Sequence, residues 1–152
     1  MFRPIRKRKN EIDRNAVETL LNKSRRGVLA VNGEDGYPYA IPVNYLYDKE
    51  TQKIYFHGAR AGYKVDALRK SDKVCFTVKK ESWAPFVQSA VIFGRCHLLD
   101  GGPSTMAVLK RFMMKYYPSE QLAEEEIARS GKAVQLFEIT VEHLSGKEVQ
   151  ER

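Results

Sequence analysis

From Arg26 onward the hydrophobic period of this chain changes from that of a helix to that of a strand, and this switch constrains the fold more than any other feature. Upstream, Ile12, Ala16, Val17, Leu20 and Leu21 recur at helical spacing and form one apolar stripe. Asp13 is placed to cap a helix running to about Ser24, with Ile12 and Val17 at the staple positions. Downstream, Arg26–Asn32 (RGVLAVN) alternates, Gly33–Gly36 (GEDG) is a turn by composition, and Tyr37–Asp48 (YPYAIPVNYLYD) alternates again. In that second run Tyr39, Ile41, Val43 and Tyr45 share a face, and the two prolines predict an edge strand or an interrupted ladder. Asp48–Gln52 closes a hairpin and Lys53–His57 (KIYFH) returns, which makes an antiparallel meander.

The second half reads in the same way. A short helix is predicted over Tyr63–Lys70, a strand over Lys73–Lys79, and a long strand over Val87–Leu99 with a bulge or bend at Gly94. Pro103 opens a helix to about Tyr117, Ser119 caps another that ends at Gly131, and Ala133–Val141 is the last strand. About six strands joined mostly by hairpins predict a mainly β fold, a small antiparallel barrel with peripheral helices. A doubly wound fold would need a helix after nearly every strand, and the first strands have none.

Composition narrows the class. The chain of 152 residues, 43% hydrophobic, suits a single domain over 1–152 with its own core. Residues 1–9 are expected to be a flexible basic arm and 143–152 a polar tail. No apolar run approaches the roughly 20 residues that span a bilayer, and no apolar segment follows the basic start, so a soluble cytoplasmic protein is expected. Cys75 and Cys96 are too few for a disulfide framework. His97 adjoins Cys96, but neighbours on a strand face opposite ways, so no metal site is expected. The net charge of +7 favours anionic partners, either nucleic acid or a phosphate-bearing small molecule.

The chemistry concentrates in Ile54–Arg69 (IYFHGARAGYKVDALR), where a strand ends at His57 and a helix begins near Gly62. Helix N-termini offer unpaired N–H groups and the positive end of a dipole to anions. Gly58 and Gly62 let the backbone approach a phosphate, Arg60 and Lys64 add charge, and His57 can donate a hydrogen bond. The same pattern also suits a plain strand-to-helix connection, and it is neither a Walker loop nor a dinucleotide fingerprint. No Ser-His-Asp set, paired catalytic carboxylates or activated cysteine is legible.

PYAIPVNYLYD, IYFHGARAGYKVDALR, KVCFTV and QSAVIFGRCHLLD together resemble, in order, the motifs of the FMN-binding split-barrel flavoproteins of the pyridoxamine 5'-phosphate oxidase superfamily, in particular the 5-nitroimidazole-resistance reductases. The resemblance implies a six-stranded antiparallel split β-barrel that dimerises with itself and holds FMN between the two copies. It implies that His57, Gly58, Ala59, Arg60, Gly62 and Lys64 surround the phosphate, that Pro42, Val43, Asn44 and Tyr45 line the flavin ring, and that Ser89 and the Trp83 loop approach ring or substrate. The implied activity is that of an oxidoreductase passing electrons from NADH or NADPH through FMN to a small electron-poor acceptor, with His57 as the one candidate proton donor. The last strand is followed only by HLSGKEVQER, without the substrate-recognition motif of true pyridoxamine phosphate oxidases. Two rival readings remain: a non-catalytic FMN binder or sensor, and a nucleic-acid-binding barrel whose Tyr37, Tyr39, Tyr45 and Tyr47 stack bases.

Overall fold

The alternation that begins at Arg26 produces one curled antiparallel sheet. The computed structural model describes residues 2–80 and 85–150. Its strands are β1 (Arg26–Asn32), β2 (Pro38–Asn44), β3 (Leu46–Asp48), β4 (Lys53–Gly58), β5 (Lys73–Lys79), β6 (Phe86–Leu98) and β7 (Gln135–Gln150). Its helices are α1 (Arg14–Lys23), α2 (Tyr63–Lys70), α3 (Pro103–Tyr116) and α4 (Glu120–Ser130). The seven strands lie in the order β2-β1-β5-β6-β7-β4-β3, and every neighbouring pair is antiparallel. This is the split β-barrel with peripheral helices. The strand count is seven rather than six because the run over 37–48 divides at Tyr45.

Capping signals locate the helices well. The Asp13 carboxylate accepts from the Ala16 N–H at 2.8 Å, and the Ser119 hydroxyl accepts from Leu122 N–H at 3.2 Å. Inside the curl, Leu29, Val31, Phe56, Phe76, Ile92 and Phe137 form the main core, with Val17, Leu20 and Leu21 of α1 closing one opening and Val65 and Leu68 of α2 another. A second cluster, Tyr55, Leu109, Phe112, Met113 and Leu136, packs α3 and α4 on the outside of β4 and β7. Burial on both faces explains why β4 reads as a continuous apolar run rather than an alternating one. The buried charge in the core is Glu18, whose carboxylate accepts from the Tyr47 hydroxyl at 2.9 Å and faces Arg14 at 3.4 Å. That pairing offsets the cost of taking a carboxylate out of water.

One expectation about the termini needs correction. The last strand does not stop at Val141: β7 continues to Gln150, because the first half of β6 needs a partner and 143–150 supplies it, with Leu144 opposite Ile92 and Val149 opposite Val87. Before α1 the chain touches the sheet at Phe2 and at Ile12. Phe2 stacks on Phe93 and His143 at 5.3 and 4.9 Å, and Ile12 N–H donates to the Gly146 carbonyl at 3.0 Å.

The bend expected at Gly94 is a register shift in the β6–β7 ladder between Phe93 and Gly94. A Cβ on Gly94 would stand 2.3 Å from the Thr140 carbonyl oxygen, so backbone would have to move. Gly94→Ala is therefore expected to cost about 1–3 kcal/mol of stability, read as a lower urea midpoint. An unchanged midpoint would show that the ladder relaxes there freely.

Candidate functional site

The division at Tyr45 creates the opening in the barrel. β3 follows β4 only as far as Leu46 opposite Tyr55, and the chain before it departs to pair with β1 instead. Phe56, His57 and Gly58 therefore extend past β3, paired on one side with β7. Across the gap lies β2, near β4 but not hydrogen-bonded to it.

Contacts from α1 and α3 hold the bend. Tyr45 is fully buried, its hydroxyl donates to the Leu21 carbonyl at 2.6 Å, and its ring meets Phe76 edge-on at 5.0 Å. Burial, with Tyr116 beside it, raises that hydroxyl well above the ordinary tyrosine range. The Tyr116 hydroxyl accepts from Tyr45 N–H at 2.8 Å and faces the carbonyls of Tyr45 and Arg25, either of which can take its single proton. Lys115 Nζ donates to the Ser24 and Tyr45 carbonyls at 2.6 and 3.0 Å and sits 4.1 Å from the centre of the Tyr45 ring. Burial first, and then the Arg25 charge, pull the Lys115 ammonium down to about 8.

The far side of the gap is the Gly58–Gly62 turn and the start of α2. Gly62 has φ +134° and precedes a helix without a side-chain cap, so among the described residues no side chain claims the first-turn amides of α2. Lys64 rises from that turn. Its amine lies 5.0 Å from the Phe137 ring and 5.6 Å from the Phe56 ring, two rings stacked at 4.8 Å, and no carboxylate pairs with it among the described residues. Burial lowers its pKa. A Cβ on Gly58 would fall 2.5 Å from that amine, so glycine makes room for it. The turn is tied to the first hairpin by Tyr63, whose hydroxyl accepts from Glu34 N–H at 2.6 Å and whose ring lies 4.4 Å from Tyr39.

The structure brings the two expected halves to opposite sides of the gap, although their side chains do not all face it. Pro42 and Asn44 are exposed on the outer face of β2, Val43 is half-buried inward, and Tyr45 is buried whole, its backbone N–H and C=O taken by Tyr116 and Lys115. His57 turns to the other face of β4, edge-on to Phe112 at 4.9 Å. Burial, then Lys64, lowers its pKa, which favours the neutral ring. Ala59 is exposed, and the Arg60 guanidinium leaves the turn to donate to the Lys132 carbonyl. Ser89 lies on the central strand β6, in register with Lys79 and Lys147. Trp83 lies outside the described residues. Lys115 and Tyr116 escaped the sequence reading because their targets are about seventy positions away along the chain, and no local pattern records so distant a contact.

Among the described residues no group of three His, Cys, Asp or Glu side chains converges as a metal site, and no helix is long and apolar enough to cross a membrane. A family model described as pyridoxamine 5'-phosphate oxidase matches residues 13–148. Of proteins with curated function, none matches significantly in sequence. Solved structures share the fold. A candidate 5-nitroimidazole antibiotic resistance protein of Bacteroides thetaiotaomicron superposes with a TM-score of 0.73 at 19% identity, covering 91% of this chain and 86% of that one. An FAD-binding protein of Mesorhizobium loti gives 0.69 at 22%, covering 92% and 97%. A flavocytochrome of Azotobacter vinelandii gives 0.77 at 19%, covering 97% and 73%.

The depressed Lys115 pKa has a definite sign. Folded near 8 and unfolded near 10.5, this group binds more protons in the unfolded chain across that window, so its contribution to stability rises with pH through it. The stability difference between wild type and Lys115→Met, from urea unfolding at several pH values, is expected to shift in favour of wild type between about pH 8 and 10.5. A flat or opposite trend would show that the two carbonyls keep the amine charged.

Proposed function

Because this chain belongs to the pyridoxamine 5'-phosphate oxidase family, we propose that it is a flavoprotein that recognises FMN across the split of its barrel and acts as an oxidoreductase. The observation that carries this reading is the cradle at the start of α2. An amine without a carboxylate partner among the described residues, helix-end amides without a side-chain cap and a glycine whose missing Cβ leaves room for that amine lie together beside the gap. That donor set fits a phosphate, for which backbone N–H groups and a lysine are apt ligands.

Lys64 and the α2 amides would hold the phosphate. The backbone from Pro42 to Asn44 would meet the polar edge of the ring, beside the bend that Lys115 and Tyr116 hold at the buried Tyr45. Asn44, exposed in one copy, has amide groups available for that edge. When bound, the flavin would supply two-electron chemistry between a reduced nicotinamide and a small electron-poor acceptor such as a nitroaromatic. His57, predominantly neutral near pH 7, retains both a donor and an acceptor nitrogen.

The outer face of β2, β1, β5 and β6 supports a homodimer. Ala40, Ala30, Cys75 and Phe93 form one row across the sheet, and Pro42, Val28, Thr77 and Val91 the next. These residues are small or apolar and partly or fully exposed, with Val28 at 38% and Phe93 at 37%. A second copy laid on this face would bury them.

The first test is the visible spectrum of the purified protein, with FMN added if it is colourless. Flavin bands are expected, and Lys64→Met should weaken FMN binding by about tenfold to a hundredfold, the worth of a hydrogen bond to a charged group. A protein that neither carries nor acquires flavin overturns the reading and returns its basic surface to nucleic acid. Val28→Glu is expected to convert a dimer into a monomer in sedimentation and to weaken FMN binding with it. Retention of the dimer would place the interface elsewhere.

A further inference from the structure

On the side of the sheet that carries α3 and α4 lies a cavity of about 480 Å³, walled by the start of α3, the end of α4 and the first residues of β7. Its size is within the range of sites that enclose small ligands, about 300–1,000 Å³. Its walls are apolar: Leu109 and Leu136 are buried, Ile127 is half-buried, and Met106 lines the cavity while 44% exposed. The charged residues that line it are Arg60, Lys132 and Asp100, all three exposed.

Observed hydrogen bonds sort the polar groups into two poles. The Arg60 guanidinium donates to the Lys132 carbonyl, which brings the two cationic residues together. A guanidinium has five N–H donors, so this bond leaves others for a ligand. The Gln135 amide nitrogen donates to the Leu99 and Leu136 carbonyls at 2.8 and 2.9 Å. That fixes the amide and leaves its Oε1 as an acceptor. Asp100 follows directly on Leu99, so a carboxylate adjoins that amide. Among the described residues Arg60 and Lys132 pair with no carboxylate, and Asp100 pairs with no cation. Other charges of α3 and α4 do pair: Lys110 bridges Glu120 and Glu124, Arg111 meets Asp48, and Arg129 meets Glu126. Opposite charges thus line one apolar cavity without meeting each other.

We propose, independently of the flavin reading, that this cavity binds an α-amino acid with an apolar side chain. The ligand's carboxylate meets Arg60 and Lys132, its ammonium meets Asp100 and Gln135 Oε1, and its side chain packs against Met106, Leu109 and Ile127. Hydrogen bonds between charged groups are the strong ones, so matching both poles decides the ligand class. A plain apolar molecule matches neither pole, and an amine or a carboxylic acid alone matches one. A dianionic phosphate would bring a like charge to Asp100. A zwitterion answers both poles, and the methionine thioether adapts to an aliphatic or an aromatic side chain.

The test is isothermal titration of the full chain as purified with L-phenylalanine and L-leucine, beside 2-phenylethylamine and 3-phenylpropionate, which each lack one of the two charges. At least one of the amino acids is expected to bind with a Kd below about 1 mM, and each single-charge analogue about tenfold more weakly than phenylalanine, the worth of one hydrogen bond to a charged group. Asp100→Asn is expected to weaken amino-acid binding by about tenfold without weakening 3-phenylpropionate. Met106→Trp, at an exposed position where the larger ring fills the cavity, is expected to abolish binding. No heat from either amino acid at millimolar concentration, a single-charge analogue that binds as tightly as phenylalanine, or affinity that survives both substitutions would overturn the proposal. None of these outcomes touches the flavin, which the visible spectrum reads separately.

Discussion

The structure depends on a single bend at Tyr45. One continuous stretch of chain serves as β2 at one edge of the sheet and as β3 at the other, so the sheet can curl into a barrel only if that stretch changes partner within a residue. The bend exposes backbone groups that no strand can satisfy, and unpaired buried N–H and C=O groups are costly. Tyr116 and Lys115, from the last turn of α3, take up both backbone groups of Tyr45, while the Tyr45 side chain anchors itself to the end of α1. Three segments distant in sequence thus meet at one residue, and the opening that results is the only place along β4 where its edge departs from β3 toward β2.

This dependence also explains what could be read from the sequence. Strands β1 and β5 and helix α2 fall where alternation, Gly62 and the following polar residues place them, because each is determined by its own local pattern. The run over 37–48 alternates throughout, so a local reading makes it one strand; the break comes from tertiary competition between β1 and β4 for its two halves. The polar stretch 143–150 was illegible as a strand for a related reason. It is recruited by the length of β6, and Ser145 and Lys147 face away from the core, so its composition does not advertise burial.

The site was legible in part. The glycines and the lysine of the 58–64 turn share a short segment, and their grouping shows in the sequence itself. What could not be read was direction: His57 turns to the face of Phe112, Arg60 reaches Lys132, and Tyr45 withdraws its ring into the core. Each orientation is set by an element that comes from another part of the chain. The two clusters on either side of β4 decide it, since a side chain at the end of that strand must enter one or the other.

The prolines of β2 have a consequence for how copies of this protein meet in concentrated solution. Pro38 and Pro42 both occupy even positions of the edge strand, on the same side as Ala40 and Asn44, and proline has no N–H to offer to a neighbouring ladder. The opposite edge, β3, is only three residues long. Both features make these borders poor templates for the addition of a foreign strand, the route by which exposed sheet edges seed fibrils. Growth by edge-to-edge stacking is thus disfavoured by the covalent structure itself.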